Sequence, residues 1–336
     1  MTLLLAIMNM TSFILNPEFF TTDSPTQRAG APPADSFQKL QHPAPILSLQ
    51  NAYSSEDLGA WLERIAKIDE RVWEEGFAVE PKLDGLTVVL HYENGVFIKG
   101  ATRGDSEIGE DITQNLRTIK TLPLHIPADP NGPEPPQRLV VRGEAFLRIS
   151  DFEALNRHLE ESGEKTYVNP RNTAAGALRQ LDSSLTAKRP LTILVYQIVD
   201  GSSNLPATQQ GTLESLRAFG FPVPESSCCK TLKEVVDAYQ DWLRRRNQLD
   251  YEIDGVVIKI NNLDLFAELG VVGKAPRGAI AFKFPAQVVT TKLREIRVNV
   301  GRTGVLTPYA ILAPVGIGGV TVSQATLHNF DYIAEK

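Results

Sequence analysis

The sequence predicts an α+β fold of mainly antiparallel sheets flanked by helices, followed by a partial β-barrel. Three observations predict it. Two alternating strands meet at Glu93-Asn94-Gly95, a strong hairpin signal. Amphipathic stretches separate the β-rich runs; in one, Leu58, Trp61, Leu62 and Ile65 recur at i, i+3, i+4 and i+7. From about Val288 the texture changes to short β-rich runs, Leu293 to Val300 and Leu306 to Leu312, broken by Gly301-Arg302-Thr303-Gly304.

At 336 residues the chain exceeds one ordinary compact core. The expected division is an unassigned leader over 1–20, a main domain over 21–287 and a truncated barrel segment over 288–336. A net charge of −6 removes any bulk attraction to nucleic acid, so a DNA contact requires a local basic face. The two cysteines, Cys228 and Cys229, are sequence neighbours. They suit neither a disulfide nor a zinc site, and a reducing cytoplasm is the expected home. Leu3 to Ile7 is too short to span a membrane, and the first twenty residues lack the cationic start of a signal peptide.

In chain order, Thr21 to Asp35 reads as a Pro/Ser/Thr-rich linker. Ser54 is placed to cap the first helix, and Ser48-Leu49 just before it read as turn and core. A strand from Gly76 leads into Glu80-Pro81-Lys82-Leu83-Asp84-Gly85, and Leu86 to Leu90, with β-branched Thr87, Val88 and Val89 at its centre, follows. The second hairpin strand ends at Ala101-Thr102-Arg103-Gly104-Asp105. A short helix is expected from Gly109 to about Ile119, then a Pro-rich connection from Pro123 to Pro136. The next strand, Leu139 to Leu147, carries Glu144 inside an apolar run, where an unpaired carboxylate is costly. A helix over Asp151–Glu161 with Ser150 as cap precedes the small-residue helix of Asn169 to Gln180, which carries Arg171 and Arg179. Strand Leu191–Val199 carries Tyr196, and two helices follow. Strand Tyr251–Ile260 then places Val257 and Lys259 on one face. Ala279 to Pro285 supplies Lys283.

Lys-x-Asp-Gly alone arises by chance with a probability on the order of 0.1. Its weight comes from the ordered residues around it. A lysine held near a sheet can lose its proton and act as an amine nucleophile. One such lysine, several acids and two further strand lysines suit nucleotidyl transfer: Lys82 attacks an α-phosphate, while Lys259 and Lys283 neutralise charge in the transition state, with magnesium doing the same electrostatic work.

The chain resembles the adenylation domain of bacterial NAD-dependent DNA ligases. The runs that carry the resemblance are Ser48-Leu49, Glu80 to Gly85, Thr102 to Asp105, Val141 to Glu144, Asn169 to Asp182, Tyr251 to Ile260 and Ala275 to Ala286. Val300 to Gly304 and Ala325 to Asn329 resemble the start of that family's OB-fold. The resemblance implies a nucleotidyltransferase (ATP-grasp-like ligase) fold, NAD as AMP donor, Mg2+ or Mn2+, no zinc in this chain, nicked double-stranded DNA as partner, a monomeric state and roles in DNA replication and repair. It makes Lys82 the adenylated residue and Glu80 the reader of the adenine amino group. Arg103 and Glu144 become ribose contacts, Tyr196 and Val257 the two faces of the adenine slot, and Lys259 and Lys283 phosphate contacts. Ser48 and Leu49 belong to the nucleotide site, Asp84 and Asp254 are metal or orienting acids, and Arg171 and Arg179 face DNA. Gly278 stands where the family pattern has an aromatic residue, which questions local packing.

Residues 1–20 do not resemble the family's nicotinamide-gripping domain and the barrel segment is short, so poor reaction with NAD and little or no sealing are expected of this chain. The alternative is a remnant that binds adenine nucleotide or nicked DNA without turnover. A third reading, an ATP-dependent ligase or capping-type enzyme, shares the lysine motif, and the Asn169 to Asp182 run argues against it.

Overall fold

The computed structural model describes residues 33–202, 205–286, 288–301, 304–317 and 320–335. The expected leader, most of the Thr21–Asp35 linker and the Arg302-Thr303 pair lie outside the described residues. The chain divides into two units: one runs to Lys165 and resumes over Pro170–Phe284, the other comprises Thr166–Asn169 and the chain from Pro285.

In the first unit, short strands Lys39–Gln41 (β1) and Gln50–Ala52 (β2) precede helix Ser55–Ala66 (α1). Ser54 and Asp57 form a capping box, and Leu58, Trp61, Leu62 and Ile65 are the buried stripe. Strands Phe77–Leu83 (β3), Leu86–Glu93 (β4) and Val96–Thr102 (β5) follow. Lys82 thus lies within a strand rather than between two. Asn94 and Gly95 turn the β4–β5 hairpin with φ of 48° and 78°, the left-handed geometry such a turn requires.

Gly109 and Glu110 do not begin a helix. Ile108–Glu110 (β6) pairs with β1, and helix α2 is only Thr113–Arg117. Pairing with a strand far upstream overrides the local helical tendency. Strand Arg138–Leu147 (β7) leads into helix Ile149–Glu161 (α3). The expected cap, Ser150, lies inside α3, and both its backbone N–H and its hydroxyl donate to Asp250 at 2.8 Å. Arg148 holds the N-cap position without a side-chain bond.

Helices Pro170–Leu178 (α4) and Ser183–Ala187 (α5) precede strand Leu191–Gly201 (β8). Helix Gln209–Ala218 (α6), strand Ser227–Cys229 (β9), helix Leu232–Arg245 (α7) and strand Ile253–Ile260 (β10) come next. Helix Leu263–Leu269 (α8), strands Val271–Val272 (β11) and Ala275–Pro276 (β12), and strand Ala279–Lys283 (β13) complete the unit.

Two sheets organise these elements. One has the order β2-β13-β10-β3-β9, the other β5-β4-β7-β8. All pairs are antiparallel except β2 with β13. Each sheet turns one face to its own apolar core. Phe77, Val79, Ile258 and Phe282 pack with Trp61 and Trp242, while Val88, Leu90, Val141 and Val195 pack with Leu116 and Leu178. Strand period 2 sends the intervening residues, Glu80, Lys82, Lys259, Lys283, Arg142, Glu144 and Tyr196, to the other faces. The polar site is the remainder of this core patterning.

Gly85 has a packing role. A Cβ there would stand 2.5 Å from the Ala145 carbonyl oxygen on β7, with Glu144 Cγ at 3.0 Å. Gly85→Ala is expected to destabilise the unit by ~1–3 kcal/mol as β4 is pushed from β7. An unchanged thermal midpoint would refute this. At Gly278, the Phe266 ring of α8 lies 2.7 Å from where a Cβ would be, so Phe266 fills the space that an aromatic at 278 would need.

In the second unit, strands Leu293–Val300 (β14), Leu306–Ile317 (β15) and Val320–Thr326 (β16) form an antiparallel meander, with Phe330–Ala334 (α9) after it. β15 runs five residues past the expected end at Leu312, with a register shift between Ile311 and Val315.

Candidate active site

A cavity of about 530 Å³ in the first unit takes its walls from both sheets and from the segment around Ser48. Glu80 and Lys82 enter from β3, Val257 and Lys259 from β10, Lys283 from β13, Thr87 from β4, Arg142 and Glu144 from β7, and Tyr196 from β8. Arg103, Ser48, Leu49 and Arg171 also line it. Of the residues named from the sequence, Asp84, Asp254 and Arg179 are not part of this lining; Arg179 lines a separate cavity with Glu110 and Arg103.

At one end, Lys259 Nζ donates to both oxygens of Glu80, at 3.0 Å to Oε1 and 2.9 Å to Oε2. Gln209 Nε2 adds a bond to Oε1 at 2.7 Å. Lys259 also lies 5.4 Å from the Tyr196 ring centroid. Register explains the pairing. Val257 faces Glu80 across β10 and β3, and Lys259 is the next same-face residue, so its stem reaches Glu80. Burial lowers the Lys259 pKa against the pull of Glu80.

At the other end, Lys82 Nζ stands 3.3 Å from Asp254 Oδ1, and Lys283 Nζ donates to Asp254 Oδ2 at 2.5 Å. Lys283 registers with Gly255, beside Asp254. A register shift between Ile253 and Val256 marks the stretch of β10 that holds Asp254. Asp84 pairs with Arg171. Arg179 pairs with Glu110 through Nε at 2.8 Å, and both arginine side chains are more than half exposed.

Between the ends, Glu144 Oε2 accepts from Thr87 Oγ1 at 3.0 Å and Tyr196 Oη at 3.3 Å. Burial raises the Glu144 pKa, and Arg142 and the Thr87 bond only partly offset it. Burial likewise raises that of Tyr196. Arg103 Nη1 approaches Ser48 Oγ at 3.5 Å, while its carbonyl contacts His42 Nε2 at 3.2 Å.

A buried acid–lysine pair beside a tyrosine, and two lysines on a shared aspartate, thus meet at one cavity. A family model for the NAD-dependent DNA ligase adenylation domain matches residues 34–287, and one for the NAD-dependent DNA ligase OB-fold domain matches residues 290–336. The chain belongs to the NAD-dependent DNA ligase family.

The DNA ligase of Roseiflexus castenholzii is 50% identical over 329 residues, covering 96% of this chain and 46% of its own length. That of Herpetosiphon aurantiacus is 51% identical over 322 residues, covering 95% of this chain and 47% of its own. The chain thus spans about half the length of the curated relatives it matches. A solved mycobacterial DNA ligase D complexed with ATP and MES covers 77% of the chain at a TM-score of 0.36 and 16% identity, a likeness too loose to say more.

Thr87, Arg142 and Gln209 are among the residues of this ligase domain's cavity that escaped sequence reasoning as site residues. Arg142 donates through Nη1 to the Leu47 carbonyl at 3.1 Å and lies 5.7 Å from the Tyr196 ring centroid, tying the Ser48 segment to the cavity. Its signal was available, since it stands two residues before Glu144 on the same strand face. Gln209 opens a helix and belongs to no motif.

Among the described residues, no group of three or more His, Cys, Asp or Glu side chains converges for a metal ion. Magnesium does not require one, since it commonly takes one or two carboxylates and completes its shell with water and substrate phosphate. Asp84 and Asp254 are donors of that kind, and Asp254 Oδ1 has no hydrogen bond in the protein. Also among the described residues, no helix is long and apolar enough to cross a membrane.

Glu144 gives the ligase domain a pH signature. Its folded pKa lies above the unfolded value, so its contribution to stability is greatest below the ordinary carboxylate range and is lost as pH rises through the raised pKa. Glu144→Gln is therefore expected to gain stability relative to the parent as pH rises from about 4.5 to 7.5. Denaturant melts across that interval provide the check, and a pH-independent difference would contradict it.

Proposed function

We propose that this chain carries out the nucleotidyl transfer that opens NAD-dependent nick sealing. Lys82 Nζ attacks the α-phosphate of NAD. The new N–P bond replaces the P–O bond to nicotinamide mononucleotide, which departs, and the amine gives up a proton. The Lys82–Asp254–Lys283 cluster supports this reading best. It sets a primary amine on a carboxylate able to orient it or take its proton, beside a second cation for phosphate oxygens. A magnesium or manganese ion held by Asp84, Asp254 or both would supply further neutralisation of phosphate charge.

The opposite end supports adenine as the base. Glu80 offers an acceptor and Lys259 a donor side by side. Adenine presents the complement, an amine beside an acceptor ring nitrogen, whereas a 6-oxopurine presents the reverse. Lys259 is thus read here as a base contact, and Lys283 remains the phosphate contact. Tyr196 and Val257 flank the base, and Glu144 and Arg103 hold the ribose. In the full-length ligase the AMP passes to a 5′-phosphate at a nick in duplex DNA, and a phosphodiester bond forms with release of AMP. Arg171 and Arg179 would exchange their carboxylate partners for DNA phosphates. The protein is read as a cytoplasmic monomer.

The test is the intact mass of the purified chain before and after incubation with NAD and magnesium. The expected gain is one adenylyl group. A chain that binds AMP tightly yet never gains the adduct would reject the enzymatic reading.

A further inference from the structure

No motif marks Gln209, yet it is 2% exposed and lines the cavity. It is the first residue of α6, directly after the cap Thr208. Its backbone N–H donates to the Asn261 carbonyl at 2.8 Å, and the Gln210 N–H donates to Asn261 Oδ1 at 3.1 Å. These bonds tie the start of α6 to the end of β10. The side chain then reaches inward, and Nε2 donates to Glu80 Oε1 at 2.7 Å and to the Tyr196 carbonyl at 2.9 Å. Both partners are pure acceptors, which settles which way the amide faces.

A count of lone pairs gives the consequence. Each carboxylate oxygen offers about two acceptor sites. Glu80 Oε1 receives Lys259 and Gln209, so it is full. Oε2 receives Lys259 and keeps one site open. We propose that Gln209 is a positioning residue that saturates Oε1 and leaves Oε2 as the single open acceptor of Glu80, so that the site selects a 6-aminopurine over a 6-oxopurine. This rests on the reading of Glu80 as the base-facing carboxylate. Without Gln209 the carboxylate has a second open acceptor and is free to tilt. It can then take the ring N–H of a 6-oxopurine, which the anchored geometry leaves unmatched.

The experiment compares AMP with inosine 5′-monophosphate, its 6-oxo counterpart, by calorimetric titration of the full chain, verified free of adduct by mass. The parent is expected to favour AMP by about 100-fold. Gln209→Met keeps the volume and removes the donor, and it should cut that preference by about 10-fold, mainly through weaker AMP binding. Gln209→Glu adds a pH signature. At about pH 8 the introduced carboxylate repels Glu80 and AMP binding falls. At about pH 5 the introduced group, its pKa raised by burial beside Glu80, is protonated, donates to Oε1 and restores the preference. A residue that merely packs would lower the melting temperature and leave the AMP-to-inosinate ratio alone. An unchanged ratio in Gln209→Met, or a pH-independent ratio in Gln209→Glu, overturns the inference. A parent that binds AMP without favouring it overturns the reading of Glu80, and the inference with it.

Discussion

Lys82→Ala is expected to abolish the proposed adenylyl adduct, with a loss of at least ~10⁴-fold in the rate of adenylation. The reason is structural economy at the cationic end. Lys82 and Lys283 share one aspartate, but they enter from different strands. Lys283 holds the closer contact, 2.5 Å against 3.3 Å, and occupies the other Asp254 oxygen. Its proposed role is counter-charge to the phosphate, so it is not expected to replace Lys82 as nucleophile. Lys82→Arg should fail as completely, because a guanidinium keeps its proton and offers no free amine. Asp254→Asn should retain slow adenylation, since the amine survives while its orienting charge is lost. Intact mass resolves all three variants. An adduct of undiminished yield in Lys82→Ala would place the nucleophile elsewhere and discard the scheme.

Lys259→Met destabilises the protein by ~3–5 kcal/mol, because it leaves Glu80 as an uncompensated buried carboxylate. For a domain of this size the melting temperature should fall on the order of 10 °C. The double substitution Glu80→Gln with Lys259→Met should recover most of that loss, since a neutral pair no longer demands a counter-ion. Nucleotide binding should not recover, because the donor–acceptor edge proposed to face the base is gone. Burial depresses the Lys259 pKa even beside Glu80, so desolvation outweighs the attraction of its partner. The pair is therefore a weak source of stability, and selectivity for the base is its proposed role. Thermal melts of the single and double variants, each with and without AMP, separate the two roles. Recovery of AMP-dependent stabilisation in the double variant would show that the pair is only structural.

Local rules made much of this molecule legible in its sequence. The Ser54 cap and the spacing of Leu58, Trp61, Leu62 and Ile65 define α1 because neighbours on one helix turn decide them. Asn94 and Gly95 define the hairpin because only a few residue types tolerate their dihedrals. Alternation along β10 put Val257 with Lys259 on a shared face, and the ordered motifs named the family, whereas the extent of β3, which puts Lys82 inside the strand, came from the structure.

Pairings between distant strands were decided only by the tertiary structure. Strand β6 forms because β1 lies beside it, a contact no local window contains. Lys259 meets Glu80, and Lys283 meets Asp254, because the registers of β3, β10 and β13 set the reach of each stem. Periodicity gives the face of a strand but not its offset from a neighbour, and a shift along the ladder would exchange these partners. Gln209 joins the site for the same reason, through the tie between α6 and the end of β10, with no sequence signal of its own.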